Sequence, residues 1–232
     1  MRRVSELPPR PWIEVEVGTG RFAQALGIDV GVDPAPGALE YAARRGVRVV
    51  EAVGQALPFE DGRFGAAFVI VTLCFADEPA ILLREARRAL TDEGGVVLGI
   101  VPAESPWGRL YAEKARSGHF FYSRAKFFTL GEIERLACEA GLTFDLAAST
   151  LLRPFFCGGS FAVEPPRDGI HEDAGFVAVL CRREAENSGR EGEPLTCMRD
   201  NVEVSREDPR CPHPSSQCRF RKLCPIAALI RR

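Results

Sequence analysis

At 232 residues the chain is long enough for one well-packed domain with a small appendage. Its 46% hydrophobic and 27% charged content is that of an ordinary globule, and a net charge of −2 gives no whole-molecule attraction for nucleic acid or a membrane surface. No apolar run approaches the roughly 20 residues that span a bilayer, and Met1 to Pro11 carries charge and proline but no apolar stretch of a secretory signal. The expectation is a cytoplasmic protein with no membrane or nucleic-acid partner.

In chain order, Ile13, Val15 and Val17 alternate with Glu14 and Glu16, which is strand spacing. Gly18-Thr19-Gly20 then allows a tight turn and a close approach of backbone to a ligand. Ile28 to Val32 reads as the next strand, with Asp33 at its carboxyl end. There open α/β sheets bind nucleotides, and an acid can hydrogen-bond ribose hydroxyls. Gly37 to Arg45 reads as a helix capped by Gly46, and Val47 to Val50 as a third strand. Leu57 to Phe64 is a turn-rich loop, and Ala66 to Leu73 is continuously apolar, as a strand buried on both faces must be. Ala80 to Leu90 is an amphipathic helix and Val96 to Val101 a fifth strand. Thr129-Leu130-Gly131-Glu132 is a capping box opening a helix that runs to Ala140 and stops at Gly141. Phe144 to Thr150 and Phe176 to Cys181 can pair as an antiparallel edge. Strands alternating with helices argue for a parallel sheet with crossover helices.

From about Trp12 to Arg183 these motifs resemble the class I S-adenosylmethionine-dependent methyltransferases of the small-molecule, type 11 kind. The anchors are Glu14 to Phe22, Val32-Asp33-Pro34, Gln55 to Phe64, and the helix-turn-strand Leu82 to Leu98. The resemblance implies a Rossmann-like α/β fold, a seven-stranded, mostly parallel sheet with an antiparallel edge strand. It implies S-adenosylmethionine as cofactor and a small-molecule methyl acceptor. Glu14 would close the first strand near the methionine part, Gly18, Thr19 and Gly20 would form the turn under it, and Asp33 would hold the ribose. Gln55 and Ala56 would border the adenine, and Thr72 would join the site from the fourth strand. Two residues depart from the family's pattern: Glu16 stands where the first glycine of the turn belongs, and Gly65 where aspartate is usual after Phe64. Glu16 either brings a like charge towards the cofactor's carboxylate or serves itself as the motif acid of a shortened turn.

Methyl transfer needs little catalytic apparatus, because the donor is already activated and the protein mainly aligns the acceptor. A base is required only where the acceptor must lose a proton. Between the fifth strand and the capping box, Trp107, Tyr111, Phe120, Phe121, Tyr122, Phe127 and Phe128 accompany His119. This segment reads as a helical flap over the sheet edge or as an aromatic lid over the substrate, two readings that are compatible. His119 and Tyr122 are the candidate proton acceptors. Cys74, after the fourth strand, reads as a reactive thiol or as a small hydrophobe at a buried strand end.

Three parts follow: a cofactor-binding domain over residues 1–185, a polar linker over 186–196, and a tail over 197–232. The tail holds Cys197, Cys211, Cys218 and Cys224 in the spacing C-x13-C-x6-C-x5-C. In a cytosolic chain such a cluster suggests a metal centre, Zn²⁺ or an iron–sulfur cluster, with a disulfide or redox thiols as the alternative. Two rivals to the methyltransferase reading remain: a non-catalytic binding or regulatory protein on the same fold, and a redox or metal-responsive protein acting through the tail.

So short a tail rarely buries enough apolar surface to fold alone, and a metal commonly supplies the missing free energy. Elemental analysis of protein purified without chelator is therefore expected to find bound metal in the parent and less of it in Cys218→Ser. Freely titratable thiols and no metal in either would overturn the tail assignment.

Overall fold

Phe64 to Ile70 has no polar side chain on either face, so it is stable only in the middle of a sheet covered on both sides. The computed structural model places it there. The structure describes residues 7–152 and 164–183, and the backbone of 195–196 and 203–204. The strands are β1 (Trp12–Val15), β2 (Val30–Asp33), β3 (Arg48–Glu51), β4 (Phe64–Ile70), β5 (Leu90–Ile100), β6 (Leu142–Thr150), β7 (Arg167–Asp168) and β8 (Phe176–Arg183). They form one sheet in the order β3-β2-β1-β4-β5-β8-β6-β7. Neighbours from β3 through β5 pair in parallel, while β8 runs antiparallel between β5 and β6.

Helices α1 (Arg21–Leu26), α2 (Pro36–Arg44), α3 (Pro79–Arg88), α4 (Pro106–Arg116) and α5 (Leu130–Glu139) complete the domain. Two apolar cores result. One joins Ile13, Val15, Phe64 and Val69 with Leu82 and Leu83 of α3 and Ile133 of α5. The other joins Trp12, Ala66 and Phe68 with Ala23 of α1 and Leu39 of α2. The capping box is formed: Thr129 accepts the Glu132 N–H through Oγ1, and the Glu132 carboxylate accepts the Thr129 N–H. Such a cap contributes about 1 kcal/mol.

Several boundaries differ from the sequence expectation. The fourth strand ends at Ile70 rather than Leu73, because Val71 takes a left-handed backbone (φ 56°) and Leu73–Phe75 form a 3₁₀ turn. The fifth begins at Leu90 rather than Val96, since Leu90 pairs with Phe64 before a register shift brings Gly95 opposite Ala66. Gly46 is not the cap itself; Arg45 caps α2, and Gly46 follows it with φ 83°. The two-residue β7 makes an eighth strand where seven were expected. Val17 joins the core of Trp12 rather than that of Ile13 and Val15, because the strand alternation stops at Glu16. Leu195–Thr196 and Glu203–Val204 pair antiparallel with each other.

Gly65, the second departure from the family's pattern, has a packing cause. The residues before β1 cross beside it: its N–H donates to the Pro11 carbonyl, and a Cβ there would lie 1.6 Å from the Pro9 carbonyl oxygen. Trp12 holds the same segment through its indole N–H, which donates to the Pro8 carbonyl at 2.8 Å. No side chain fits between strand and crossing segment. Gly65→Ala is therefore expected to destabilise the chain by roughly 1–3 kcal/mol, as overpacking does. A urea denaturation midpoint equal to the parent's would show that the crossing segment yields without cost.

Candidate functional site

In the order β3-β2-β1-β4-β5 the sheet reverses direction of growth between β1 and β4, and the crevice at such a point, outside the carboxyl ends of the strands, is where open α/β sheets hold ligands. The ends of β1, β2 and β4 bring most of the predicted residues to this edge. Asp33 closes β2, nearly buried, and both its oxygens are engaged. Oδ2 accepts the Gly18 N–H at 2.8 Å and Oδ1 the Ala35 N–H at 2.9 Å. One carboxylate thus ties the turn after β1 to the start of α2.

Glu16, Gly18 and Gly20 all have positive φ, at 57°, 53° and 75°. Glu16 thus has a left-handed backbone at the position where the resemblance sets the first glycine. Gly20 is required by packing as well, since a Cβ would stand 2.8 Å from the Cα and Cβ of Ala42 on α2. A Cβ on Gly18 would meet nothing within 4 Å, so the turn is open above it. Thr19 is exposed and its carbonyl accepts from Arg45 at 2.7 Å. The Glu16 carboxylate reaches across to the chain after β3, where Oε1 accepts the Gly54 N–H at 3.4 Å. Burial, and then the charges of Asp33 and Asp77, push its carboxyl above the usual range.

Glu14 is more deeply placed than strand alternation suggested, at 2% exposure. It shares the β1 face of Trp12, which α1 covers, and its carboxyl accepts the Ala23 N–H. Oε2 has no hydrogen-bond partner among the described residues. Burial pushes this carboxyl up to about 8. Thr72 is buried just after β4, its hydroxyl donating to the carbonyls of Val15 and Ile70 at 3.4 and 3.3 Å. Cys74 is no reactive thiolate: burial pushes it up to about 11, and its thiol donates to the Val71 carbonyl.

Gln55 and Ala56 lie on the loop between β3 and β4, half-buried and exposed respectively. This loop is fastened by a network the sequence reading missed. Arg88 donates to the carbonyls of Leu57 and Phe59 and pairs with Glu85 and Asp61, while Glu85 accepts the Leu57 N–H. The one available signal was the Glu85/Arg88 pair at helical spacing. Gly54 and Asp77, which surround Glu16, carried no signal of their own.

The aromatic segment docks on the turn after β4. Phe121 packs on Phe75 with ring centroids 4.8 Å apart, and the Lys126 N–H donates to the Cys74 carbonyl at 2.7 Å. Tyr122 stacks on Tyr111 of α4 at 4.6 Å. His119 is exposed, and its Nδ1 accepts the N–H groups of Phe121 and Tyr122, which leaves Nε2 as the nitrogen open to a ligand. Cys197, Cys211, Cys218 and Cys224 lie outside the described residues. Among those described, no group of His, Cys, Asp or Glu has the arrangement of a metal site, and no helix is long and apolar enough to cross a membrane.

Comparison with known proteins bears on this edge. A family model described as a methyltransferase domain matches residues 13–98. An uncharacterized protein of Mycobacterium tuberculosis is 43% identical over 179 residues, covering 77% of this chain and 62% of the relative; the chain thus spans less than two thirds of that protein's length. An uncharacterized protein of Methanocaldococcus jannaschii is 33% identical over 177 residues, 76% of this chain and 84% of the relative. A crystal structure from Thermotoga maritima superposes with a TM-score of 0.71 at 35% identity, covering 78% of this chain and 86% of that one. It is described as an S-adenosylmethionine-dependent methyltransferase, possible histamine N-methyltransferase. The chain belongs to the class I S-adenosylmethionine-dependent methyltransferases.

The buried Glu14 has a consequence for stability. Its carboxyl holds its proton more tightly in the folded chain than at the ordinary value of 4.5. The group's favourable contribution is therefore complete below pH 4.5 and is lost as pH rises to about 8. Glu14→Gln removes this titration. The variant is expected to gain on the parent by up to a few kcal/mol between those limits, read as the difference of urea midpoints against pH. A difference that stays flat would mean that the carboxyl is ionised throughout.

Proposed function

We propose that this chain transfers the methyl group of S-adenosylmethionine to a small-molecule acceptor. The observation that carries the reading is Asp33, held at the end of β2 beside the reversal point by two backbone N–H groups. Each of its oxygens keeps a lone pair, so the carboxylate can take the two ribose hydroxyls with no rearrangement of its own. The open space above Gly18 and the unpartnered Glu14 Oε2 fit a ligand that brings an ammonium group to the turn.

In this reading Gly18, Thr19 and Gly20 underlie the methionine part, with Glu14 beneath them. Gln55 and Ala56 border the adenine, on a loop that Arg88 fastens, and Thr72 supports the floor of the site by joining the ends of β1 and β4. The cofactor would supply an electrophilic methyl group on sulfur. The chain's part is to align the acceptor and exclude water. Tyr122 and the open Nε2 of His119 are the groups offered for accepting a proton from an acceptor that must lose one. The name given to the Thermotoga protein points to a small amine as one acceptor class, in agreement with a small-molecule substrate.

Calorimetric titration with S-adenosylmethionine tests the reading. The parent is expected to bind, and Asp33→Ala to bind more weakly by roughly 1–3 kcal/mol, the loss usual for hydrogen bonds to a charged group. A melting curve must accompany the variant, because Asp33 also holds Gly18 and Ala35. No binding by the parent would leave the non-catalytic rival in possession of the fold.

A further inference from the structure

Glu16 is the residue at this edge that the family's pattern leaves unexplained. The backbone is left-handed, φ 57°, as a glycine readily is, yet carries a long charged side chain. A residue with a Cβ is disfavoured there, and such strain persists only where the surroundings enforce it. The side chain does not turn out to bulk solvent. It is half-buried and spans from the end of β1 to the Gly54 N–H, along the floor between the glycine turn and the loop bearing Gln55 and Ala56.

The carboxylates of Asp33 and Asp77 lie close enough to raise the Glu16 carboxyl, after the larger effect of burial. None of the described ion pairs involves Glu16, Asp33 or Asp77; the arginines pair elsewhere, with Asp29, Glu40, Asp61, Glu85, Asp92 and Asp145. A negative crevice without its own cation favours a ligand that brings one. The cofactor and its product differ in this respect. Both carry an ammonium and a carboxylate that cancel, but S-adenosylmethionine adds the sulfonium charge, which is lost with the methyl group.

We propose that Glu16 lets the site separate S-adenosylmethionine from S-adenosylhomocysteine by charge, holding the cationic cofactor more tightly than the neutral product. The inference rests on the proposed function. The attraction lasts while the sulfonium exists and ends with the transfer that abolishes it, so it favours loading of cofactor and departure of product. Repulsion from the cofactor's own carboxylate is the opposing effect. The Glu16 carboxylate is held at the Gly54 N–H rather than at the Gly18–Gly20 turn assigned to the methionine part, and the comparison of ligands below separates the two effects.

Equilibrium calorimetry on the full chain decides the matter, with S-adenosylmethionine, S-adenosylhomocysteine and sinefungin, whose ammonium-bearing carbon replaces the methylated sulfonium. The parent is expected to bind both cationic ligands about tenfold more tightly than S-adenosylhomocysteine, the order of one partly screened charge contact. Glu16→Gln keeps the shape and removes the charge, and should reduce this preference to within about twofold. Glu16→Gly, which also relieves the left-handed backbone, should do the same and serves where the glutamine variant folds poorly. An unchanged preference in both variants overturns the inference, as does a uniform gain in affinity for all three ligands, which would mark repulsion as the stronger effect. If the parent binds none of the three, the proposed function fails as well, whereas binding with an unaltered ratio defeats the charge argument alone.

Discussion

Two backbone N–H groups, from Gly18 and Ala35, meet on the carboxylate of Asp33, and the arrangement of the ligand-facing edge follows from that meeting. The turn after β1 leaves the sheet, so the Gly18 N–H has no ladder partner, and an unpaired backbone donor in a half-buried place is costly. The charged acceptor at the end of β2 satisfies it more strongly than a carbonyl would. Once Gly18 is fixed, Gly20 lies against Ala42, and α1 and α2 take their places over Trp12 and Phe68. A single side chain therefore sets both the turn and the approach of the helices. That dual role is why a change at Asp33 cannot be read as a loss of ligand contact without a measure of folding beside it.

Strain is confined to the same side of the sheet. Glu16, Val71 and Leu151 are the described non-glycine residues with positive φ, and they follow the carboxyl ends of β1, β4 and β6. Since β8 is antiparallel to both β5 and β6, these three ends lie on one edge. Val71 is the most telling, because a β-branched residue is a true outlier in that region. It ends β4 abruptly and turns the chain into the Leu73–Phe75 segment, with Thr72 tied back to Val15. The opposite edge carries the starts of β1 to β6, and among the described residues no such outlier sits there. Among the described residues the strain gathers at the edge where open α/β sheets hold ligands, the pattern expected of an edge shaped for binding rather than for stability.

Much of this was legible in sequence because it is local or periodic. The glycine turn, the acid thirteen residues beyond Gly20, the apolar β4 and the capping box at Thr129 each follow from residues close together in the chain. The misreadings share a different cause. Glu14 looked like the polar member of an alternating strand, but a sheet covered on both faces has no solvent side, so its carboxyl is buried under α1. Gly65 stood out only as a departure from the family's pattern, because the Pro9 carbonyl that excludes a side chain there lies more than fifty positions away in sequence. The Arg88 network joins a helix to a loop about thirty residues earlier, and only its Glu85 member shows helical spacing. Contacts set by topology rather than by neighbourhood cannot be recovered from one sequence.

The aromatic segment is joined to the carboxyl edge of the sheet through a few contacts on the turn after β4. Phe75 holds Phe121, and the Cys74 carbonyl holds the Lys126 N–H, so the aromatic segment is anchored to the strand end that Val71 distorts. Beneath it, Tyr111 and Tyr122 stack and support the turn that His119 closes with its Nδ1. Phe120 and Phe121 nevertheless remain 77% and 55% exposed. Adjacent exposed phenylalanines gain nothing from water, and their apolar area contributes free energy only when something covers it. The segment is thus docked at its base, Phe121 on Phe75 and Phe120 under the Arg124 guanidinium, while much of both rings still faces solvent beside the strand end.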